Sequence, residues 1–340
     1  MHHFDFDTKM TEIFPYQQLN RTQIIDQINH LSASKQAFLF VIDFNAESGF
    51  VIRQNELNEE FIRFEIQNAK HETLNAQRRT INWQINPISH KDYKTKFDFV
   101  VEQIHKGNSF LVNLTQPTEV NTNLSLLDLY TQSSAKYKLW IKDKFTVLSP
   151  ETFVQIRAGK ISSFPMKGTI NASIPNAEKI ILNDPKEKAE HATIVDLIRN
   201  DLSIVADHVE VVRYRYIDKL STNKGDLLQV SSEITGQLPE NYAEKLGDTI
   251  FSLLPAGSIS GAPKPKTLEI IENAEGYERG FYTGICGWFD GEKLDSAVMI
   301  RFIEQQDDKM IFKSGGGITS QSEMEKEYEE LIQKVYVPLH

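Results

Sequence analysis

A long series of short apolar runs, with only a few long helical patterns between them, most constrains the fold of this chain. The clearest run, 37–44, is continuously apolar, as is typical of a strand buried on both faces. Further strands are predicted at 109–115, 137–141, 145–148, 153–156, 209–216, 227–235, 282–289, 296–304 and 310–314. Because strands and helices do not alternate strictly, the pattern predicts an α+β fold. The glycine motif of dinucleotide-binding folds does not occur after any predicted strand.

Three helices are predicted at 89–107, 185–201 and 322–335. Ser89 and Asp92 have the spacing of a capping box at the start of the first helix. A glycine ends that helix, and a proline opens the second, as each residue type favours. These signals predict where the long helices begin and end.

Composition and charge exclude several classes of function. The chain has 340 residues and a formal net charge of -10 without a long basic block, which argues against nucleic acid as a main partner. No apolar run approaches the roughly 20 residues that span a bilayer. The single cysteine, Cys286, rules out an intramolecular disulfide and favours a reducing compartment. With no evident signal peptide, we expect a cytoplasmic protein with no membrane partner.

Two predicted helices carry acidic pairs at the same spacing, Glu187 with Glu190 and Glu327 with Glu330. Residues three apart share a helix face, and buried carboxylates need a counter-charge. Two such pairs converging on one cleft would form an all-oxygen site for a hard cation, most plausibly Mg²⁺. The alternative is that these glutamates are ordinary solvated helix charges.

Two glycine-containing segments mark further candidate sites. Gly315, Gly316 and Gly317 follow an apolar strand and precede the last helix, so their N–H groups could approach an anion or simply form a turn. The segment 257–264, which ends at Lys264, resembles a phosphate loop but lacks the GxxxxGK[ST] pattern. Neither segment identifies a ligand by itself.

Three charged residues stand in unusual surroundings. Lys167 lies between Pro165 and Gly168, and a lysine acts as nucleophile or base only when neutral. Arg301 follows an apolar run, where it could clamp a carboxylate or form a structural ion pair. Glu151 lies between two predicted strands and taken alone is most simply a turn residue.

Taken together, these segments resemble the chorismate-utilising enzymes. That family includes anthranilate synthase component I, aminodeoxychorismate synthase component I, isochorismate synthase and salicylate synthase. The matching motifs, in order, are 105–115, 149–151, 164–169, 189–202, 257–264, 282–284, 300–301 and 315–318. The resemblance implies one domain over 1–340, with a catalytic core at 91–337 and a less clearly matched portion at 1–90. It also implies a two-sheet β-sandwich core covered by helices, with the active site in a cleft between its halves.

Within the family, Lys167 discriminates between reactions. Anthranilate synthases carry alanine at this position, whereas aminodeoxychorismate synthases typically carry lysine. Gln229 aligns with a histidine that anthranilate synthases use for pyruvate elimination. The resemblance therefore implies amination of chorismate at C4 for p-aminobenzoate and folate biosynthesis. The alternatives are an isochorismate or salicylate synthase, in which the lysine acts as a base for water, anthranilate synthase component I, or a non-catalytic subunit.

The resemblance also assigns roles to the candidate residues. It implies Mg²⁺ held through Glu190 and Glu330, with Glu187 and Glu327 positioning its waters, nucleophilic attack by Lys167, and proton donation by Glu151. The expected substrate-binding residues are Arg301, Tyr282, Thr169, Gly284, Gly315, Gly316, Gly317 and Lys264. Because Cys286 lies in an apolar, strand-like run, we expect it to be inert. Ammonia would then come from solution or from a separate glutamine amidotransferase subunit.

Overall fold

The computed structural model describes residues 14–66, 69–70, 81–222 and 225–338. Its strands, in chain order, are β1 (Leu19–Asn20), β2 (Phe38–Ile42), β3 (Ser48–Arg53), β4 (Ile62–Ile66), β5 (Ala69–Lys70), β6 (Trp83–Asn86), β7 (Leu111–Thr122), β8 (Tyr137–Ile141), β9 (Phe145–Ser149), β10 (Thr152–Arg157), β11 (Lys160–Ser163), β12 (Met166–Asn171), β13 (Asp207–Thr222), β14 (Gly225–Gln237), β15 (Gly261–Ala262), β16 (Ile285–Phe289), β17 (Lys293–Val298), β18 (Phe302–Gln306) and β19 (Lys309–Ile318).

The α-helices are α1 (Arg21–Ala33), α2 (His90–His105), α3 (Leu126–Gln132), α4 (Ala177–Asn183), α5 (Pro185–Leu202), α6 (Leu246–Ser252), α7 (Gly257–Ser260), α8 (Lys264–Glu275) and α9 (Met324–Gln333). Two short 3₁₀ helices lie at Gln54–Glu56 and Tyr242–Lys245. None of the helices in the described ranges is long and apolar enough to cross a membrane.

The strands form two antiparallel sheets. The first has the order β1-β3-β2-β16-β17-β10-β11-β14-β12, with β13 paired to β14. The second has the order β15-β7-β19-β18-β9-β8-β4-β5, with β6 paired to β7. This arrangement confirms the predicted α+β class with two sheets and covering helices.

Apolar side chains explain why the two sheets pack together. Leu39 and Val41 from the first sheet share one buried cluster with Phe64, Leu139 and Val147 from the second. A second cluster joins the first sheet to α1, α5, α6 and α7, and a third joins β7 and β19 to α2, α8 and α9. Burial of this apolar surface is the main stabilising contribution to such a fold.

The predicted starts of the first two long helices are confirmed, and the last helix begins at Met324, two residues after its predicted start. Ser89 caps α2 and accepts a hydrogen bond from the Asp92 N–H at 3.1 Å. Pro185 opens α5, and Asp184 caps it by accepting from the Glu187 N–H at 3.0 Å. Both caps satisfy N–H groups that a helix leaves unpaired at its start.

Two local predictions were wrong. The run 296–304 is not one strand, because the backbone breaks between β17 and β18 and Arg301 adopts a φ of 51°. Gly315, Gly316 and Gly317 do not form a turn but lie inside β19, paired with Thr115, Leu114 and Asn113 of β7. Apolar patterning could not show either feature, since the first depends on one residue's backbone and the second on pairing with a distant strand.

Candidate active site

A cleft of about 790 Å³ opens between the two sheets. One wall comes from β12 and α5, and the opposite wall from β19, Arg301 and Lys334. Its volume is within the range of small-molecule sites. The cleft gathers most of the residues that the sequence singled out, although they are far apart along the chain.

Lys167 reaches the cleft from an irregular part of β12. The pairing of β12 with β14 shifts register between Met166 and Thr169, and Gly168 in this bulge has a φ of 89°. Such a bulge changes the direction of a side chain relative to a regular strand. The Lys167 Nζ lies 2.9 Å from the Glu190 Oε2 on α5.

The surroundings of Lys167 favour its charged form. Burial by itself would lower the pKa of Lys167, but the ion pair with Glu190 and the charges of Glu330 and Glu187 outweigh it and raise that pKa. The neutral amine required of a nucleophile is therefore not the form favoured by these contacts. A role for Lys167 as nucleophile requires something that weakens its pairing with Glu190.

The four glutamates of the predicted metal site surround this lysine from two helices. Glu187 and Glu190 lie on α5, while Glu327 and Glu330 lie on α9, and each helix contributes charge felt by Lys167. Burial, reinforced by Glu190, raises the pKa of Glu187, and burial also raises the pKa of Glu327. Converging carboxylates of this kind attract a cation.

Lysine and serine side chains contact some of these carboxylates. Glu330 pairs with Lys334 at 2.6 Å; burial opposes ionisation of Glu330, but Lys334 outweighs it and lowers the pKa. Ser322 donates a hydrogen bond to Glu327 at 2.8 Å. Glu187 Oε2, in contrast, is buried without a hydrogen-bond partner among the described residues.

The donor set fits a hard divalent cation, although its ligands are not gathered as a coordination shell. Within the described ranges, no group of three or more acidic, histidine or cysteine side chains is spaced to hold a metal. The carboxylates face lysines instead, as at Glu190 and Glu330. The oxygen-only chemistry and the unpartnered, buried Glu187 Oε2 suit Mg²⁺.

Glu151 lies at the junction of β9 and β10 and also lines the cleft. Its carboxylate accepts a hydrogen bond from the Ser258 Oγ at 2.5 Å. Burial raises the pKa of Glu151 and outweighs the opposite effects of Ser258 and Lys334. A carboxyl group with a raised pKa can act as a general acid at higher pH than an ordinary glutamate.

Five of the expected substrate-binding residues line the cleft. They are Tyr282, Arg301, Gly315, Gly316 and Gly317. Arg301 donates hydrogen bonds to the Lys334 carbonyl at 3.2 Å and to the Tyr336 hydroxyl at 3.3 Å. A Cβ at Gly316 would lie 3.4 Å from carboxylate oxygens of both Glu327 and Glu330, so glycine leaves room beside the acids.

The other three expected residues do not line the cleft. Thr169 is exposed on β12, and Gly284 packs against β2 so closely that a Cβ would lie 2.1 Å from the Ile42 carbonyl oxygen. Lys264 pairs with Asp201 at 2.9 Å and donates to the Leu253 carbonyl at 3.0 Å. These contacts give Gly284 and Lys264 structural roles that a motif match does not distinguish from ligand binding.

Two residues that line the cleft were not identified as site residues from the sequence. Lys334 follows Glu330 by one helical turn, a spacing that predicts a helix ion pair but not a place in the cleft. Ser258 lies in the segment 257–264, where nothing in the sequence indicates its contact with Glu151.

Gly168 gives a stability test of the bulge. We expect Gly168→Ala to lower the free energy of unfolding by roughly 1–3 kcal/mol, because alanine is strained at this φ. Its Cβ would also lie 2.8 Å from Glu187 Oε2. Gly107 is a matched control with a φ of 78° and nothing within 4 Å of a Cβ. Urea denaturation should show the larger loss for Gly168→Ala; equal losses would exclude a steric contribution from Glu187.

Comparison with known proteins identifies relatives of this chain over most of its length. The chain is 48% identical over 322 residues to an uncharacterized PabA-like protein of Haemophilus influenzae, covering 95% of this chain and 98% of that one. It is 31% identical over 277 residues to aminodeoxychorismate synthase component 1 of Klebsiella aerogenes, covering 77% and 60%.

The fold also has solved relatives. The structure of anthranilate synthase component I from Streptococcus pneumoniae aligns with a TM-score of 0.67 at 19% identity, covering 88% of this chain and 79% of that one. The chorismate binding enzyme family matches residues 11–340, nearly the whole sequence. This chain therefore belongs to the family of chorismate binding enzymes.

Proposed function

We propose that this enzyme is the component I of an aminodeoxychorismate synthase, which replaces the C4 hydroxyl of chorismate with an amino group in a Mg²⁺-dependent reaction. The observation that carries the proposal is Lys167, which lies in the cleft 2.9 Å from Glu190. Glu151, with its raised pKa, lines the same cleft. The product, 4-amino-4-deoxychorismate, would serve p-aminobenzoate and folate biosynthesis in the cytoplasm.

Lys167 and Glu151 have different roles in the first half of the reaction. The Lys167 amine forms a bond to C2, the two ring double bonds shift, and the C4–O bond breaks. Glu151 gives its proton to the departing hydroxyl, which leaves as water. Ammonia then bonds to C4 and loses a proton, the double bonds shift back, and the bond between C2 and Lys167 breaks. Lys167 is regenerated without a change in oxidation state.

Lys167 must lose its own proton before it can attack. Its pairing with Glu190 opposes this loss, because it raises the lysine pKa. When bound through Glu190 and Glu330, with Glu187 and Glu327 on its waters, Mg²⁺ would supply positive charge to the substrate carboxylate and compete with Lys167 for Glu190. The pairing observed here then represents the resting arrangement of the side chains.

The remaining cleft residues suit the second carboxylate of chorismate. Arg301 is the candidate for a bidentate contact, and Tyr282 and the backbone of Gly316 and Gly317 lie along the same cleft. Arg301 would exchange its hydrogen bonds to the Lys334 carbonyl and Tyr336 for bonds to substrate.

Ammonia would come from solution or from a separate glutamine amidotransferase subunit. Cys286 is the only cysteine of the chain, and it is buried on β16. Burial raises the pKa of its thiol to about 12, so the thiolate needed for glutamine hydrolysis is not formed near neutral pH.

The product of chorismate turnover tests the proposal. The protein is incubated with chorismate, Mg²⁺ and ammonium, and products are identified by liquid chromatography with mass spectrometry. We expect 4-amino-4-deoxychorismate, absent when ammonium is omitted. Isochorismate, salicylate or anthranilate as the main product would overturn the assignment in favour of the corresponding relative.

The raised pKa of Glu151 predicts how kcat falls along the alkaline limb of the pH profile. A general acid works only while protonated, so kcat should fall as the pH rises through the pKa of Glu151, which is raised above the ordinary value. We expect Glu151→Gln to lower kcat by about 10²-fold and to remove this limb. Glu278→Gln, which does not line the cleft, is the control. An unchanged limb in Glu151→Gln would assign it to another group.

A further inference from the structure

His191, buried beside the proposed metal ligands, has no role in the mechanism above. We propose that His191 and Ser232 form a positioning pair that fixes Lys167 relative to Glu190. The proposal rests on the proposed function, because that function gives the separation of Lys167 and Glu190 its importance. Neither His191 nor Ser232 lines the cleft, so both would act through other residues.

Ser232 lies on β14 close to irregularities in both neighbouring strands. The ladder between β12 and β14 shifts register between Met166 and Thr169, next to the pairing of Met166 with Ser231. On the other side of β14, the ladder with β13 shifts between Arg213 and Tyr216. The β13 irregularity therefore lies opposite Ser232, whereas the β12 irregularity lies opposite Val230, two residues away along β14. A bulge leaves a residue out of the ladder, so its backbone groups are free to bond with side chains.

Hydrogen bonds join Ser232 to both neighbouring strands. Its N–H donates to the Pro165 carbonyl at 3.0 Å, just before β12 and two residues before Lys167. Its Oγ accepts from the Arg215 N–H at 2.9 Å, and Arg215 has a φ of 50° in the β13 bulge. Ser232 is therefore hydrogen-bonded both to the residue just before β12, which carries Lys167, and to the bulge of β13 on the other edge of β14.

His191 connects this point to α5. Its Nε2 lies 2.7 Å from the Ser232 Oγ. Either the serine hydroxyl or the imidazole can donate this bond, because a hydroxyl that accepts from the Arg215 N–H keeps both its proton and a second lone pair. His191 directly follows Glu190 on α5. A continuous path of bonds therefore runs from the helix of Glu190, through His191 and Ser232, to the strand of Lys167.

The cost of this arrangement argues for a role beyond packing. His191 and Ser232 are both fully buried. A buried imidazole requires hydrogen-bond partners, and an apolar side chain would fill the same space without that requirement. The imidazole instead provides a hydrogen bond at a fixed point one residue from Glu190.

Substitutions at both positions test the pairing. We expect His191→Leu and Ser232→Ala each to lower kcat for chorismate consumption by about 10–100-fold, since small displacements of reacting groups cost this much. The KM for chorismate should change less than about 3-fold. The double variant should lose no more than the worse single variant, because both changes break one path. His191→Gln, which keeps an acceptor for Ser232, should recover a substantial part of kcat.

Val195→Ala is the matched control for destabilisation. Val195 is buried on the same helix but does not line the cleft, so its truncation should lower thermal stability and leave kcat near wild type. Crystal structures of the variants give a second readout, in which the Lys167–Glu190 separation of 2.9 Å should lengthen. The crystallographic separation can be measured without turnover. The kinetic assay measures the consumption of chorismate regardless of which product is formed. A failure of the proposed function therefore stays distinct from a failure of this proposal.

Three outcomes would overturn the positioning role. The first is a wild-type kcat in Ser232→Ala and His191→Leu. The second is a loss in kcat that merely follows thermal stability, as Val195→Ala would define it. The third is an unchanged separation of Lys167 and Glu190 in the variant crystals.

Discussion

Lys167→Ala should lower kcat for amination by at least about 10³-fold, a loss typical of removing a nucleophile. Binding of chorismate should weaken by less than about 10-fold, because the expected carboxylate contacts come from Arg301 and the proposed metal site. The variant also leaves Glu190 without its partner at 2.9 Å. Steady-state kinetics with ammonium, and calorimetric titration with chorismate in the presence of Mg²⁺, measure the two effects separately.

Lys160→Ala controls for loss of a lysine on the same sheet. Lys160 is exposed on β11, away from the cleft, and its replacement should leave kcat and binding unchanged. Lys167→Arg should not restore activity, since an arginine remains protonated and cannot attack. Full ammonia-dependent activity in Lys167→Ala would rule out covalent catalysis by this residue and leave it only an electrostatic role.

Removal of divalent cations should reduce amination to background. Chorismate brings two carboxylates into a cleft lined by Glu190, and Glu187, Glu327 and Glu330 lie near enough to interact electrostatically with Lys167 in that cleft. Two like charges about 4 Å apart cost about 4 kcal/mol near a protein surface, so binding without a counter-ion is unfavourable. Activity should disappear with a chelator and return when Mg²⁺ is added in excess.

Binding of Mg²⁺ to the Glu190→Gln variant tests the proposed metal site without a measurement of turnover. Calorimetric titration with Mg²⁺ should show binding to the wild type and a loss of affinity of at least about 10-fold in the variant. Glu178→Gln, an exposed position at the start of α4, should bind as the wild type does. Equal Mg²⁺ affinity in all three proteins, or full activity with chelator, would contradict a metal site at these glutamates.

The elements that sequence reasoning predicted well are those with local signals. The strand 137–141 matches β8, and the second predicted helix matches α5 to within one residue at its end. Proline and cap residues fix helix starts through neighbouring atoms alone. Helix α8 was not predicted, and its N-cap residue, Pro263, makes no side-chain cap hydrogen bond.

Local signals fail where a residue's role depends on a distant partner. The glycines of β19 look like a turn until β7 is placed beside them. Arg301 adopts a φ of 51° in the break between β17 and β18, which apolar patterning did not indicate. The contact of Ser258 with Glu151 joins residues from separate parts of the chain, and Lys264 binds Asp201 rather than lining the cleft.

Motif order and helix spacing are properties of the chain alone, so they were sufficient to predict the family, the α+β class and the two acidic pairs. The pairing of Lys167 with Glu190, which favours the lysine as a cation, is visible only in the folded molecule. The balance between burial, which lowers the lysine pKa, and nearby carboxylates, which raise it, depends on distances across the cleft. Folding alone creates those distances, since they join β12 to α5 and α9.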